Sequence, residues 1–149
     1  LWCASLGFNE PALIEAAISQ MNSLPFYHSF TGKTSEPTIR LSEKLIEISP
    51  GNLKKAFFCN SGSEANDTVV RMVRRYWDLK GKPNKKTFIS REYAYHGSTM
   101  TGMSLGGMTA MHAQGDMMPG FEHVLPPYWY KYGGDMSHDD FGIHAANKL

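Results

Sequence analysis

The run Phe57-Phe58-Cys59-Asn60-Ser61-Gly62-Ser63-Glu64-Ala65-Asn66-Asp67 passes from apolar residues through a small polar turn into a helical pattern. That order makes an anion site. The first N–H groups of a helix have no partner inside it, and the positive end of the helix dipole stands behind them. Gly62 lets a ligand approach the backbone, and the Ser63 hydroxyl adds a donor. Ser61 and Glu64 have the spacing of a capping box, which fixes the helix start. An ordinary capped helix uses the same residues, so the turn alone leaves both readings open. A second patch, Tyr93-Ala94-Tyr95-His96-Gly97-Ser98-Thr99, follows a predicted strand. In open parallel sheets, ligands lie beyond the carboxyl ends of the strands, and the turn at Gly62-Ser63 and the segment around Tyr95 both sit at such ends. Phosphate donors facing Tyr95 or His96 suit a phosphorylated aromatic ligand stacked on a flat ring. The alternative is that Tyr95 packs in the core.

The elements that must hold these patches alternate along the chain. Asn9 caps a first helix with Pro11 in its opening turn, and Ile14, Ala17, Ile18 and Met21 mark one face. Leu24-Pro25 ends it, and an aromatic loop through Phe26, Tyr27 and Phe30 follows. A second helix starts at Ser35 with Leu41, Leu45 and Ile48 on one stripe, and Pro50-Gly51 breaks it. Residues 56–59 read as a strand. The third helix follows the polar turn, with Ala65, Val69, Met72 and Tyr76 on one side, and Gly81 and Pro83 stop it. A buried strand over 87–89 completes a βαβ unit with parallel strands. Beyond lie a Gly- and Met-rich segment, a strand near 123–125, a loop over 126–134 and a last helix from Ser137, with Asp140 at capping distance. The fold class is α/β, with residues 1–50 a helical lead-in and 51–149 the start of the ligand-binding domain.

Bulk properties narrow the class. With 149 residues, 42% hydrophobic residues and a net charge of +1, a soluble globular chain is expected. No apolar run is long enough for a bilayer, so no membrane partner is expected. Arg71, Arg74 and Arg75 fit a solvated helix face better than a nucleic-acid surface. Cys3 and Cys59 are too few for a disulfide scaffold, which points to a reducing, cytoplasmic setting. The six histidines have no metal-ligand spacing. With Leu1 in place of Met and a stop at Lys148-Leu149 inside a helical pattern, both ends look cut, and an internal piece of a longer protein is expected.

Taken in order, several fragments carry a resemblance. They are Leu1-Trp2-Cys3, Gly7-Phe8, Leu24-Pro25-Phe26-Tyr27 and Phe30, the Asn60 to Asp67 turn, Arg74-Arg75-Tyr76-Trp77, Lys80-Gly81-Lys82-Pro83 and Tyr95-His96-Gly97-Ser98-Thr99. From end to end the chain resembles the class III aminotransferases, fold-type I enzymes dependent on pyridoxal 5′-phosphate, and most of all their omega-amino-acid:pyruvate group. The resemblance implies part of the large domain of that fold: a mostly parallel sheet with flanking helices, incomplete here. It implies that Gly62 and Ser63 hold the cofactor phosphate, that Tyr95 stacks on the pyridine ring, and that His96 and Gly97 complete the motif. It further implies that Trp2 lines the substrate pocket and that Phe30 reaches across a homodimer interface, with Lys33 near it. The partners implied are an amino donor and a keto-acid acceptor such as pyruvate; β-alanine, 4-aminobutyrate, taurine-like and simple amine donors all remain open.

The family's Schiff-base lysine and the acid that keeps the pyridine nitrogen protonated lie downstream of anything in this chain, so no catalytic residue is assigned. Lys54, Lys55, Lys80, Lys82, Lys85 and Lys86 occupy turns and polar faces. Two rival readings stand beside this one. Gly102-Met103-Ser104-Leu105-Gly106 matches the nucleophile elbow of serine hydrolases, with His112, His123, His138 or His144 as base. A non-catalytic domain for a phosphorylated ligand is the other. On the transaminase reading, the 149 residues alone are expected to bind pyridoxal phosphate weakly and to transfer no amine to pyruvate. An absorption band erased by borohydride, together with alanine formation from pyruvate, would refute that expectation.

Overall fold

Four helix starts among the described residues have a side chain that takes up one of the first free amides. The computed structural model describes residues 4–149. Helix α1 (Pro11–Ser23) is capped by Glu10, whose carboxylate accepts from Ala12 N at 3.3 Å. The predicted cap was Asn9. Pro11 takes the first helical position, where a missing N–H costs nothing, and this makes Glu10 the cap. Helix α2 (Glu36–Ile48) follows Ser35 as predicted. The chain clusters into two units, Leu1–Phe57 and Phe58–Leu149. In the first, the faces predicted for the core, Ile14, Ala17, Ile18 and Met21 on α1 and Leu41, Leu45 and Ile48 on α2, are exposed, and neither helix has a buried residue. An apolar stripe is buried only where another element meets it.

The second unit carries helix α3 (Gly62–Leu79), strand β1 (Phe88–Arg91), helices α4 (Met100–Leu105) and α5 (Thr109–His112), strand β2 (Phe121–Val124), and helices α6 (Trp129–Tyr132) and α7 (His138–Ala146). β1 and β2 pair in parallel, with Phe88 opposite Phe121 and Arg91 opposite Val124. The two Phe rings stack at 5.5 Å. The parallel unit is therefore β1, the crossover through α4 and α5, and β2. Residues 56–59, predicted as the first strand, form none, because a strand exists through its ladder and the sheet of the described residues holds β1 and β2 alone. Short helices occupy the Gly- and Met-rich segment and the predicted loop 126–134.

The core gathers Val70 of α3, Met103 of α4, Phe121 of β2, and Phe141 and Ala145 of α7. On α3 the inward side is not the predicted one. Of the side marked by Ala65, Val69, Met72 and Tyr76, Ala65 is half-buried and the other three face solvent, while Ser63, Asn66, Val70, Arg74 and Trp77 turn inward at helical spacing. Arg74, expected on a solvated face, lies over the Phe88 and Phe121 rings at 5.7 Å each and donates to Pro119 O at 3.3 Å. Its long stem covers apolar surface that the sheet presents. Arg71 and Arg75 are exposed. Helix α7 begins as predicted, with Ser137 Oγ accepting from Asp140 N at 3.1 Å. No helix among the described residues is long and apolar enough to cross a membrane. Phe141, 1% exposed, sets the stability test. Phe141→Ala is expected to cost about 3–5 kcal/mol, while Ile143→Ala on the exposed side of α7 should stay within about 0.5 kcal/mol. Equal losses in urea denaturation would contradict this packing.

Candidate functional site

At the start of α3, Ser61 is extended and its hydroxyl accepts from Glu64 N at 3.2 Å. Glu64 returns the bond one residue further out than a standard capping box, its carboxylate accepting from Asn60 N at 2.9 Å. The Glu64 charge is thereby held by Asn60. Ala65 N donates to Ser61 O, which leaves the N–H groups of Gly62 and Ser63 as the helix amides with no acceptor among the described residues.

The segment after β1 folds against this turn through three hydrogen bonds. Asn66 Nδ2 donates to His96 O at 2.6 Å, Ser98 N donates to Ser63 Oγ at 3.1 Å, and Thr99 Oγ1 donates to Asp67 Oδ1 at 2.7 Å. Thr99 then caps α4, its Oγ1 accepting from Gly102 N at 3.1 Å. Gly97 makes the approach possible. At φ +129° it lies where a Cβ would stand 2.5 Å from Ser63 Oγ and 2.9 Å from Ser63 Cα. On its other side, a Cβ on Gly102 would stand 2.9 Å from the Gly97 backbone. Ser63, Gly97 and Gly102 thus form three layers in backbone contact.

The result is a concavity of about 370 Å³ lined by Ser61, Gly62, Ser63, Asn66, Tyr95, His96 and Gly97, a size that suits a small molecule. Its Tyr95 ring is 63% exposed, which sets aside the core alternative. The Tyr95 hydroxyl and Ser98 Oγ are 3.0 Å apart, so the ring is held at its far end. A larger hollow of about 530 Å³ lies between α1 and α2, but its charged lining is Glu36 and Arg40, 3.9 Å apart, and no aromatic ring stands among its described lining residues. The 370 Å³ concavity is the better site.

Of the predicted residues, Gly62, Ser63, Tyr95 and His96 line one wall-to-wall cavity. Phe30 belongs to the first unit, where its ring is exposed, and Lys33 follows in a turn with its N–H on Phe30 O. Trp2 lies outside the described residues. Asn66, Asp67 and Thr99 were not singled out from sequence. Asn66 stands one helical turn from Ser63, and that spacing was the signal. The named lysines, Lys54 to Lys86, are exposed.

The hydrolase reading fails. Ser104 sits inside α4, fully buried, donating to Met100 O at 2.7 Å and accepting from Met118 N at 2.8 Å. A nucleophile elbow needs an exposed hydroxyl on a strand-to-helix turn. Its glycines serve packing instead: Gly102 meets Gly97, and Gly106 has Ala94 O within 3.2 Å of a Cβ position. His112 Nε2 lies 2.7 Å from Gly106 O.

The family description Aminotransferase class-III matches residues 1–145. Putrescine--pyruvate aminotransferase of Pseudomonas aeruginosa is 50% identical over 150 residues, taking in 100% of this chain and 33% of that protein. Gamma aminobutyrate transaminase 1, mitochondrial, of Solanum lycopersicum is 45% identical over 152 residues, or 100% of this chain and 30% of the relative. Among solved structures, the omega transaminase of Pseudomonas jessenii in complex with PMP matches with a TM-score of 0.95 at 48% identity, over 100% of this chain and 33% of that one. The chain belongs to the class-III aminotransferases. It spans about a third of the length of the curated relatives it matches.

The layered contact is open to test. Gly97→Ala is expected to lower unfolding free energy by about 1–3 kcal/mol, the usual cost of overpacking, and to speed hydrogen exchange at the Ser98 amide. Unchanged exchange at Ser98 would show that the contact is looser than described.

Proposed function

We propose that this class-III aminotransferase chain holds the phosphate and ring of pyridoxal 5′-phosphate, in a protein that moves an amino group from an omega-amino acid or amine to a keto acid such as pyruvate. The observation that carries the proposal is the shared cavity: free helix amides and the Ser63 hydroxyl on one side, the Tyr95 ring on the other. The PMP found with the Pseudomonas jessenii relative supports the cofactor, and the names of the Pseudomonas aeruginosa and Solanum lycopersicum relatives support the reaction and the donor class. When bound, the cofactor supplies a ring that draws off the electron pair left as a bond to the substrate carbon breaks.

The chain's own residues bind and orient. Ser63 Oγ already accepts from Ser98 N, which uses a lone pair and leaves its proton to donate into the cavity. Gly62 N–H, Ser63 N–H and Ser63 Oγ–H then form a set of donors for phosphate oxygens, backed by an 18-residue helix. Tyr95, anchored by Ser98, offers a flat face to the ring. His96 lines the same wall, and its carbonyl is fixed by Asn66. In the same proposal Trp2 and Phe30 border the substrate, with Phe30 serving the partner subunit of a homodimer.

The test separates phosphate from ring. Ser63→Ala in the intact protein is expected to weaken pyridoxamine 5′-phosphate binding by about 1.5–3 kcal/mol, the worth of a hydrogen bond to a charged group. Binding of pyridoxamine, which lacks the phosphate, should not change. If calorimetry gives the same dissociation constant for the phosphate form, Ser63 is not in the phosphate site.

A further inference from the structure

Away from the 370 Å³ cavity, Tyr93 has surroundings that none of the roles above uses. It follows β1 by two residues, at φ +65°, in the left-handed region that a bulky side chain seldom occupies. Its backbone is held there, Tyr93 N donating to Gly107 O at 2.8 Å. A Cβ on Gly107 would come 2.3 Å from Arg91 O, so the backbone of this turn has little room to relax. The strained turn directs the Tyr93 hydroxyl to α6, where Lys131 Nζ donates to it at 2.9 Å and the Tyr132 hydroxyl makes a second hydrogen bond. Lys131 Nζ also lies 4.8 Å from the Tyr93 ring centroid and 5.0 Å from that of Tyr132. The remaining neighbours are Glu92, which adds an opposing charge, and Tyr128, packed edge-on against Tyr132.

We propose that Tyr93 is a reactive phenol and a covalent modification site for sulfonyl-transfer electrophiles, created by the Lys131 ammonium and the Tyr132 hydroxyl that converge on its oxygen. An oxygen that receives two donors, one of them cationic, is stabilised as the anion. Consistent with this, the hydrogen bond from Lys131, and then that from Tyr132, holds the Tyr93 phenol below its ordinary range, and the bond to Tyr93 raises Lys131. Lys131 therefore stays an ammonium and is no competing nucleophile. In the reaction with an arylsulfonyl fluoride, the Tyr93 proton passes to solvent and the phenolate oxygen forms a bond to sulfur. The S–F bond breaks, and fluoride leaves with its electron pair.

Tyr130, 86% exposed on the same short helix, is the internal reference. Timed labelling with an arylsulfonyl fluoride and peptide mapping should find Tyr93 modified about fivefold faster than Tyr130 near neutral pH, the scale expected of one close cation at an exposed site. Its rate should rise with pH at a lower midpoint. Lys131→Met should bring Tyr93 to the Tyr130 rate, and Lys131→Arg should restore most of the difference. Tyr132→Phe gives a second reading, an intermediate rate at Tyr93. Equal rates at Tyr93 and Tyr130, an unchanged rate in Lys131→Met, or label found on Tyr132 or on the Lys131 amine would each overturn the proposal.

Discussion

Gly97 lies so close to α3 that no side chain fits between its backbone and Ser63, and the geometry of the candidate site follows from that approach. With the two segments in contact, the Ser98 amide reaches the Ser63 hydroxyl and the Asn66 amide reaches the His96 carbonyl. The same contact places Tyr95 beside the helix start, where it lines one hollow with Gly62 and Ser63. Remove the approach, and the donors and the ring belong to two unrelated surfaces. The second glycine layer, Gly102 of α4, supports the first from behind. It also ties the site to the core through Met103 and Ser104, the next residues of that helix.

The two sides of α3 divide the work of the second unit. The inward side begins with polar groups at the site (Ser63, Asn66), passes through Val70 in the core, and ends with Arg74 over the Phe88 and Phe121 rings. One helix therefore joins the anion-type turn at its N-terminus to the paired strands near its middle. Dipole, capping and packing act along a single rigid rod, which is how a small site gains fixed geometry without a loop of its own.

Local chemistry was legible in the sequence, and distant pairing was not. Ser61 and Ser137 each announce a helix start because a cap involves neighbours within four residues, and Ser35 marks one by its position before Pro37, without a side-chain bond to the helix amides. That Gly62, Ser63, Tyr95 and His96 share one hollow could be anticipated for a related reason: each stands at an element end whose polarity the sequence displays. The run 56–59 looks like a strand by composition, but strand formation depends on a partner that composition does not name. The stripe of Val69, Met72 and Tyr76 obeys helical spacing and still faces solvent, because the bond Asn66 donates to His96 O and the bond Asp67 accepts from Thr99 Oγ1 decide which side of α3 turns inward. Helices α4, α5 and α6 are too short for periodicity to reveal. The hydrolase pattern shows the opposite hazard, where a short motif matched by letters is taken apart by burial.

One consequence of the Ser98-to-Ser63 bond reaches beyond position. Because that bond occupies the serine as an acceptor, this end of the hollow is left with protons to give and few lone pairs to offer. Such a floor ranks guests by how many electron-rich oxygens they bring. A phosphate monoester satisfies it best above its second ionisation, at pH of about 6, and a ligand ending in an amine or an amide hydrogen meets donors with a donor. On the proposed reading, a single backbone N–H thus biases the Ser63 hydroxyl toward giving its proton to the guest.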